Sequence, residues 1–195
     1  ILVKGLQKME YRGYDSVGIA TESANKIVLK KGVGRVIEVN NTVKLDSIPG
    51  NIGIGHTRWA THGKVTEKNA HPHLSNSGKI AIVHNGIVEN FEELKSDLQN
   101  KGYEFQSETD TEVIANLIQL NLAETSDVKQ SIIKTVNQIK GHYSFVAIFE
   151  DGTLAAARFH EPLIVSVGKN GHYLSSDVLG FIENTDDAIY VDNED

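Results

Sequence analysis

Residues 52–63 read Ile52-Gly53-Ile54-Gly55-His56-Thr57-Arg58-Trp59-Ala60-Thr61-His62-Gly63, and the rest of the chain is arranged about them. The alternating Ile and Gly predict a buried strand whose glycines let another backbone come close. That strand is expected to end at Gly55 and to deliver a guanidinium, an indole, hydroxyls and imidazoles into a turn. Loops at strand ends are where a rigid scaffold presents binding groups. A guanidinium offers a planar fork of donors matched to a carboxylate, which an ammonium does not. The plainer alternative pairs Arg58 with a structural Asp and makes Trp59 core filler. The density of polar groups here, and further polar blocks downstream, favour a binding loop.

Upstream, residues 1–10 carry Ile1, Leu2, Gly5, Leu6 and Met9 on one helical face. The chain thus opens inside an amphipathic pattern, and further residues are expected before Ile1. The turn Tyr11-Arg12-Gly13-Tyr14-Asp15-Ser16 leads to strands at 17–21 and 26–31, a short helix at 33–43 and a Pro49-Gly50 turn. Downstream, a polar loop through Asn69-Ala70-His71-Pro72-His73 precedes a strand at 80–83 that runs into His84-Asn85-Gly86. Asn90 with Glu93 is a capping-box pattern for a helix at 91–100. Helices are expected up to Leu122 and over 128–139, then strands at 143–149, 153–158, 163–167, 172–175 and 188–191. Strands, then helices, then strands at hairpin spacing imply an α+β fold of antiparallel sheets with helices packed outside them.

The 195 residues suit one domain with a buried core, and 39% hydrophobic with 23% charged residues is ordinary for a globular protein. A formal charge of −7 and a pI near 5.6 argue against nucleic-acid or anionic-membrane partners. No apolar run approaches a membrane span and no signal peptide is visible, so a cytoplasmic protein is expected. The absence of cysteine excludes disulfides, thiolate zinc sites and a cysteine nucleophile within these residues.

Asn85-Gly86 is a candidate oxyanion hole, because a side-chain amide and an adjacent backbone N–H can converge on one developing charge. Its alternative is a type I′ hairpin turn, although no partner strand follows Ile87 and Val88. Asp110 sits at a helix start, either as a cap or as the partner of a ligand ammonium. With Arg58 it would hold the two ends of an α-amino acid. His71-x-His73 is a possible metal pair, but no third ligand is spaced to join it, and no metal or cofactor is expected. Ser175-Ser176-Asp177 with His160 lacks a nucleophile-elbow sequence and reads as a helix cap.

The blocks at 11–16, 56–63, 69–73, 84–90 and 107–112 together resemble the glutaminase domain of the glutamine–fructose-6-phosphate aminotransferases (glucosamine-6-phosphate synthases). These are class II glutamine amidotransferases of the N-terminal-nucleophile hydrolase superfamily. The resemblance covers nearly all of residues 1–195. It implies a four-layer αββα sandwich of two antiparallel sheets flanked by helices, with its N-terminal strand missing from this chain. It also implies that Arg58, with Thr61 and His62, grips the α-carboxylate of L-glutamine. Asp110 and the Gly86 backbone would hold the α-amino group, and Asn85 with the Gly86 N–H would form the oxyanion hole. Arg12 would lie near the nucleophile, Trp59 at the border of the site and the ammonia route, and His71 in support of the pocket.

The family's nucleophile is a Cys at the mature N-terminus, on a strand preceding the helix to which Ile1 belongs. On that reading the 195 residues alone are a pocket without its nucleophile and inactive. The sugar-isomerase half, which binds fructose 6-phosphate, lies outside them, and the full-length protein is expected to be a homodimer. Phe159-His160-Glu161 departs from the smaller residues usual in the family. A nucleophile-free glutamine sensor, or an amidotransferase with another acceptor, remain the alternative functions.

Overall fold

The structure, a computed structural model, describes residues 1–60 and 63–192. Strand β1 (Ser16–Glu22) shows how the layers arise, since successive side chains of a strand point to opposite faces. Val17 and Ile19 face one way and pack with Leu6 of α1 (Leu2–Lys8) and Val36 and Val39 of α2 (Val36–Val43). Ala20 faces the other way, against Ile54, Ala81, Val83 and Ile148. The first sheet is antiparallel in the order β2-β1-β3, with β2 at Ile27–Val33 and β3 at Ile52–Arg58.

The second sheet runs β4-β5-β6-β7, all antiparallel: β4 is His73–Leu74, β5 Ile80–Val88, β6 Gly141–Phe149 and β7 Leu154–Phe159. Its outer face meets α3 (Phe91–Asn100), α4 (Thr111–Thr125) and α5 (Val128–Val136). There Ile80, Ile82, Val88, Phe145 and Phe149 bury against Val113, Ile114, Leu117 and Ile118 of α4. The stacking helix–sheet–sheet–helix is the expected αββα sandwich.

The remaining strands, β8 (Ile164–Gly168), β9 (Gly171–Ser175) and β10 (Ile189–Tyr190), form a third sheet in the order β10-β8-β9. Among the described residues the strands thus divide into three sheets rather than two. The edge strands β3 and β9 line a cavity of about 130 Å³ with Leu2, Leu6 and Met9 of the N-terminal segment. No helix among the described residues is long and apolar enough to cross a membrane.

Four local expectations need correction. β3 continues through His56 and Thr57 to Arg58, and β5 through His84, Asn85 and Gly86 to Val88. Their neighbours supply ladder partners for those polar residues, pairing Gly18 with His56 and Ser144 with Asn85, so pairing overrides local polarity. α2 begins at Val36 because β2 stays paired up to Val33, opposite Ser16. Asn90 does not cap α3: its Nδ2 donates to the Gln138 carbonyl at 3.0 Å and its Oδ1 accepts from the Lys140 N–H at 2.9 Å. Its side chain therefore ties the start of α3 to the turn entering β6.

Candidate active site

The polar ends of β3 and β5 open on a cavity of about 400 Å³. Arg12, Arg58, Trp59, His71, Asn85, Gly86 and Asp110, from five separate stretches of sequence, all line it. His56, His84, Thr111, Ser144, Glu161 and Ser176 complete much of the wall.

Gly86 has φ +110°. A Cβ there would lie 2.0 Å from the His142 carbonyl oxygen, so both conformation and space demand glycine. The ladder continuing past Gly86 to Val88 rules out the tight hairpin alternative. The Asn85 side chain accepts a hydrogen bond at its Oδ1 from His56 Nε2, at 2.9 Å.

Arg58 is buried, 5% exposed, and its Nη1 donates to the Lys64 carbonyl at 3.3 Å. Burial lowers its pKa from the ordinary value, and the carboxylates of Asp15 and Asp110 oppose that shift. The turn at 11–16 clamps the segment that follows: the Asp15 N–H donates to the Arg58 carbonyl, and Asp15 Oδ2 accepts from the Ala60 N–H at 2.9 Å. Trp59 is not core filler. It is 58% exposed and meets the Tyr14 ring edge-on, with centroids 5.6 Å apart. Arg12 reaches across the cavity, its Nη1 donating to the Ser176 carbonyl and Oγ at 3.1 and 2.9 Å. Asp177 does cap a 3-10 turn, accepting from the Leu179 N–H at 2.9 Å.

Asp110 occupies the N-cap position of α4 without making a side-chain cap, which removes the bland reading. Its Oδ2 instead accepts from the Val88 N–H at 2.8 Å, joining the end of β5 to the start of α4. Thr111 Oγ1 donates weakly to Asp110 Oδ1 at 3.4 Å and lies 3.1 Å from His71 Nε2 and 3.0 Å from His84 Nδ1. A carboxylate only accepts, so the hydroxyl proton goes to Asp110 and both imidazoles donate to the hydroxyl oxygen. His73 Nε2 is similarly within 3.1 Å of Thr109 Oγ1. With these nitrogens already engaged, His71 and His73 are structural partners of threonines. Among the described residues no three His, Asp or Glu are placed to hold a metal.

Desolvation keeps these histidines neutral: it lowers His56 and His84 to about 4, and His71 and His73 well below the ordinary value. His56 as a residue is half-buried, but its Nδ1 is sealed from solvent, and the nitrogens are where a charge would sit. Lys31 holds the loop at 69–73 from below, donating to the carbonyls of Ala70 at 2.6 Å and Pro72 at 3.2 Å. Its burial pulls the ammonium down to about 8.

A family model described as a glutamine amidotransferase domain matches residues 56–182. The chain belongs to that family. It is 46% identical over 195 residues to the glutamine–fructose-6-phosphate aminotransferase (isomerizing) of Pyrococcus horikoshii, covering 99% of this chain and 33% of that protein. It is 43% identical over 197 residues to the protein of the same name from Clostridium acetobutylicum, covering 100% of this chain and 32% of that one. The chain therefore spans about a third of the length of the curated relatives it matches. Among solved structures it resembles the glutamine phosphoribosylpyrophosphate amidotransferase of B. subtilis, with a TM-score of 0.79 and 29% identity over 97% of this chain and 41% of that one.

Of the residues singled out in this amidotransferase domain, Thr61 and His62 lie outside the described residues. The other seven share the one cavity. Sequence reasoning passed over His56, His84 and Thr111. Neither His56 nor His84 belongs to the His71-x-His73 pattern, and Thr111 carries no local signal of its own. It also missed the Asn69–Glu108 clasp, in which Asn69 Nδ2 donates to Glu108 Oε2 at 3.0 Å and Asn69 Oδ1 accepts from the Glu108 N–H at 3.0 Å. The signal for it, a buried Asn69 meeting an exposed Glu108 from a loop far away in sequence, exists only in the folded chain.

Proposed function

We propose that this domain, residues 1–195, binds L-glutamine in the 400 Å³ cavity and serves as the glutaminase half of a glutamine–fructose-6-phosphate aminotransferase. The observation that carries the reading is the convergence of Asn85 and Gly86 on the cavity that also holds Arg58 and Asp110. Arg58, with Thr61 and His62 from the same segment, grips the α-carboxylate. Asp110 and the Gly86 backbone take the ammonium. Glutamine is thereby oriented with its side-chain amide toward Asn85, whose NH₂ and the Gly86 N–H receive the oxyanion. Arg12 lies near the nucleophile, Trp59 guards the rim, and His71 supports the wall.

The sequence contains no cysteine, so hydrolysis on this reading requires a thiolate from a further segment of the full-length protein, and these residues alone are inactive. An N-terminal Cys suits the task because an α-amine, with a pKa of about 8, accepts a proton near neutrality far more readily than a lysine at about 10.4. The thiolate attacks the side-chain amide carbon, the C–N bond breaks as ammonia leaves with the transferred proton, and water hydrolyses the thioester to glutamate. The ammonia passes to fructose 6-phosphate, bound by a C-terminal isomerase half in a cytoplasmic homodimer.

Identity of 46% to an aminotransferase of this name, against 29% to the phosphoribosyl enzyme, supports that acceptor over the alternative. The absence of cysteine favours one second reading, a glutamine sensor without turnover. The test is to supply the full-length gene product with L-glutamine and fructose 6-phosphate and to quantify both products. Glutamate and glucosamine 6-phosphate in equal amounts are expected. Glutamine binding without glutamate release would replace the enzyme with the sensor, and glutamate without the amino sugar would replace the acceptor.

A further inference from the structure

The hydrogen bond between His56 and Asn85 joins the two facing sheets, β3 on one side and β5 on the other. Behind it, Ile54 and Val83 on the same strands pack together in the inter-sheet core, which fixes the distance between the strands. The bond therefore belongs to the frame of the sandwich rather than to a loop.

A primary amide has an ambiguity that such a bond resolves. Rotating the Asn85 amide by half a turn exchanges its acceptor oxygen for its donor nitrogen. With the nitrogen toward the cavity it offers N–H groups to a developing oxyanion; with the oxygen there it repels one. We infer that His56 is a positioning residue for the oxyanion hole: its Nε2–H holds Asn85 Oδ1 and so turns the Asn85 NH₂ into the cavity. The inference rests on the glutaminase reading above and assigns no contact between His56 and substrate.

Three features equip His56 for this. Asn85 Oδ1 only accepts, so Nε2 carries the proton, and Nδ1, sealed from solvent with no partner, is the bare nitrogen. Desolvation holds the ring neutral, reinforced by the nearby cations Arg58 and Arg12, so the single N–H form persists across the working pH range. Finally, the ring is wedged against His71, with centroids 4.4 Å apart, and His71 is itself tied to Thr111. A donor held this rigidly costs little reorganisation when charge develops.

The experiment compares steady-state glutamine hydrolysis by the full-length gene product with that of His56→Ala, His56→Gln, Asn85→Ala and the His56→Ala/Asn85→Ala double variant. His56→Ala should lower kcat by ~10–100-fold with KM within about twofold, since the donor acts on the oxyanion and not on substrate binding. The double variant should be slower than Asn85→Ala alone by less than about threefold, because His56 acts only through that amide. Gln, which keeps a side-chain N–H, should restore most of kcat. Full activity in His56→Ala, or losses that multiply in the double variant, would overturn the role. Should His56→Ala fail to fold, His56→Met keeps the volume without the donor and is read against Gln in the same way. A wild-type protein that releases no glutamate defeats the glutaminase reading itself, whereas active wild type with indifferent His56 variants defeats only this inference.

Discussion

The second sheet has two faces with opposite roles. Its helix-facing side is built from large side chains, Ile80, Ile82, Phe145 and Phe149, packed on Ile114, Leu117 and Ile118 of α4. Its inner side mixes small and large ones, Ala81, Val83 and Ile148, against Ala20 and Ile54 of the first sheet. Large residues on the outer face bury enough apolar area to hold the fold. On the inner face the two sheets pack directly against each other, and at the end of that interface His56 comes within 2.9 Å of Asn85. One interface makes the domain stable; the other makes its polar groups converge.

The largest expected effect breaks the outer face alone. Ile118 is fully buried, and Ile118→Ala should destabilise the domain by about 2–5 kcal/mol in urea unfolding, through lost transfer energy and the cavity left behind. It lies two turns along α4 from Asp110, so glutamine affinity measured below the unfolding transition should stay within about twofold. A comparable loss of affinity would mean that the two faces are not separable.

Asn85→Ala should break the inner face in the complementary way. On the glutaminase reading kcat falls by ~10²–10³-fold while KM changes little. Folding stability should drop by only about 1 kcal/mol, the worth of one hydrogen bond. Normal turnover in the variant would remove Asn85 from the oxyanion hole.

The difference between the faces also explains what could be read from the sequence. The outer face was legible because periodicity reports apolar burial directly: Val113, Ile114, Leu117 and Ile118 mark a helix before any partner is known. The αββα layering followed from element order and from the resemblance. The polar ends of β3 and β5 fall outside the strands expected from sequence, because a strand needs no apolar residue where a neighbouring strand supplies its pairing. Asn85, Arg58 and Asp110 were legible singly, as chemical groups with few bland uses. Their assembly was not, since His56–Asn85, Asp110–Val88 and Thr111–His71 link residues 22 to 40 positions apart. No local pattern encodes such pairs.

A smaller effect sharpens the inner face's specificity. Arg58→Lys keeps the charge but removes the fork, and on the proposed clamp glutamine binding should weaken by about 1–3 kcal/mol. Calorimetry on the purified domain reads it directly, and unchanged affinity would sink the clamp. A change in domain stability as large as the change in affinity would instead make Arg58 a structural cation.

The smallest effect follows from proton linkage. His84 is buried near the end of β5, on its helix-facing side against Thr111, and burial lowers it to about 4 in the folded chain, against about 6.5 when unfolded. Above pH 6.5 both states leave it neutral and it contributes nothing to pH dependence. Between about pH 6.5 and 4 the unfolded chain takes up a proton that the folded one refuses, so stability falls as pH falls through that window. His56 behaves alike, and each should remove about 1 kcal/mol near pH 6. Urea unfolding from pH 7.5 to 5 should therefore show a steeper loss for wild type than for His84→Gln, which carries no titrating ring. Ile118→Ala, which removes no titrating group, supplies the control and should shift the whole curve down and leave its slope alone. Equal slopes for wild type and His84→Gln would mean that the imidazole is free to charge in the folded state, and the hydroxyl of Thr111 would then have to receive a cation rather than a neutral ring.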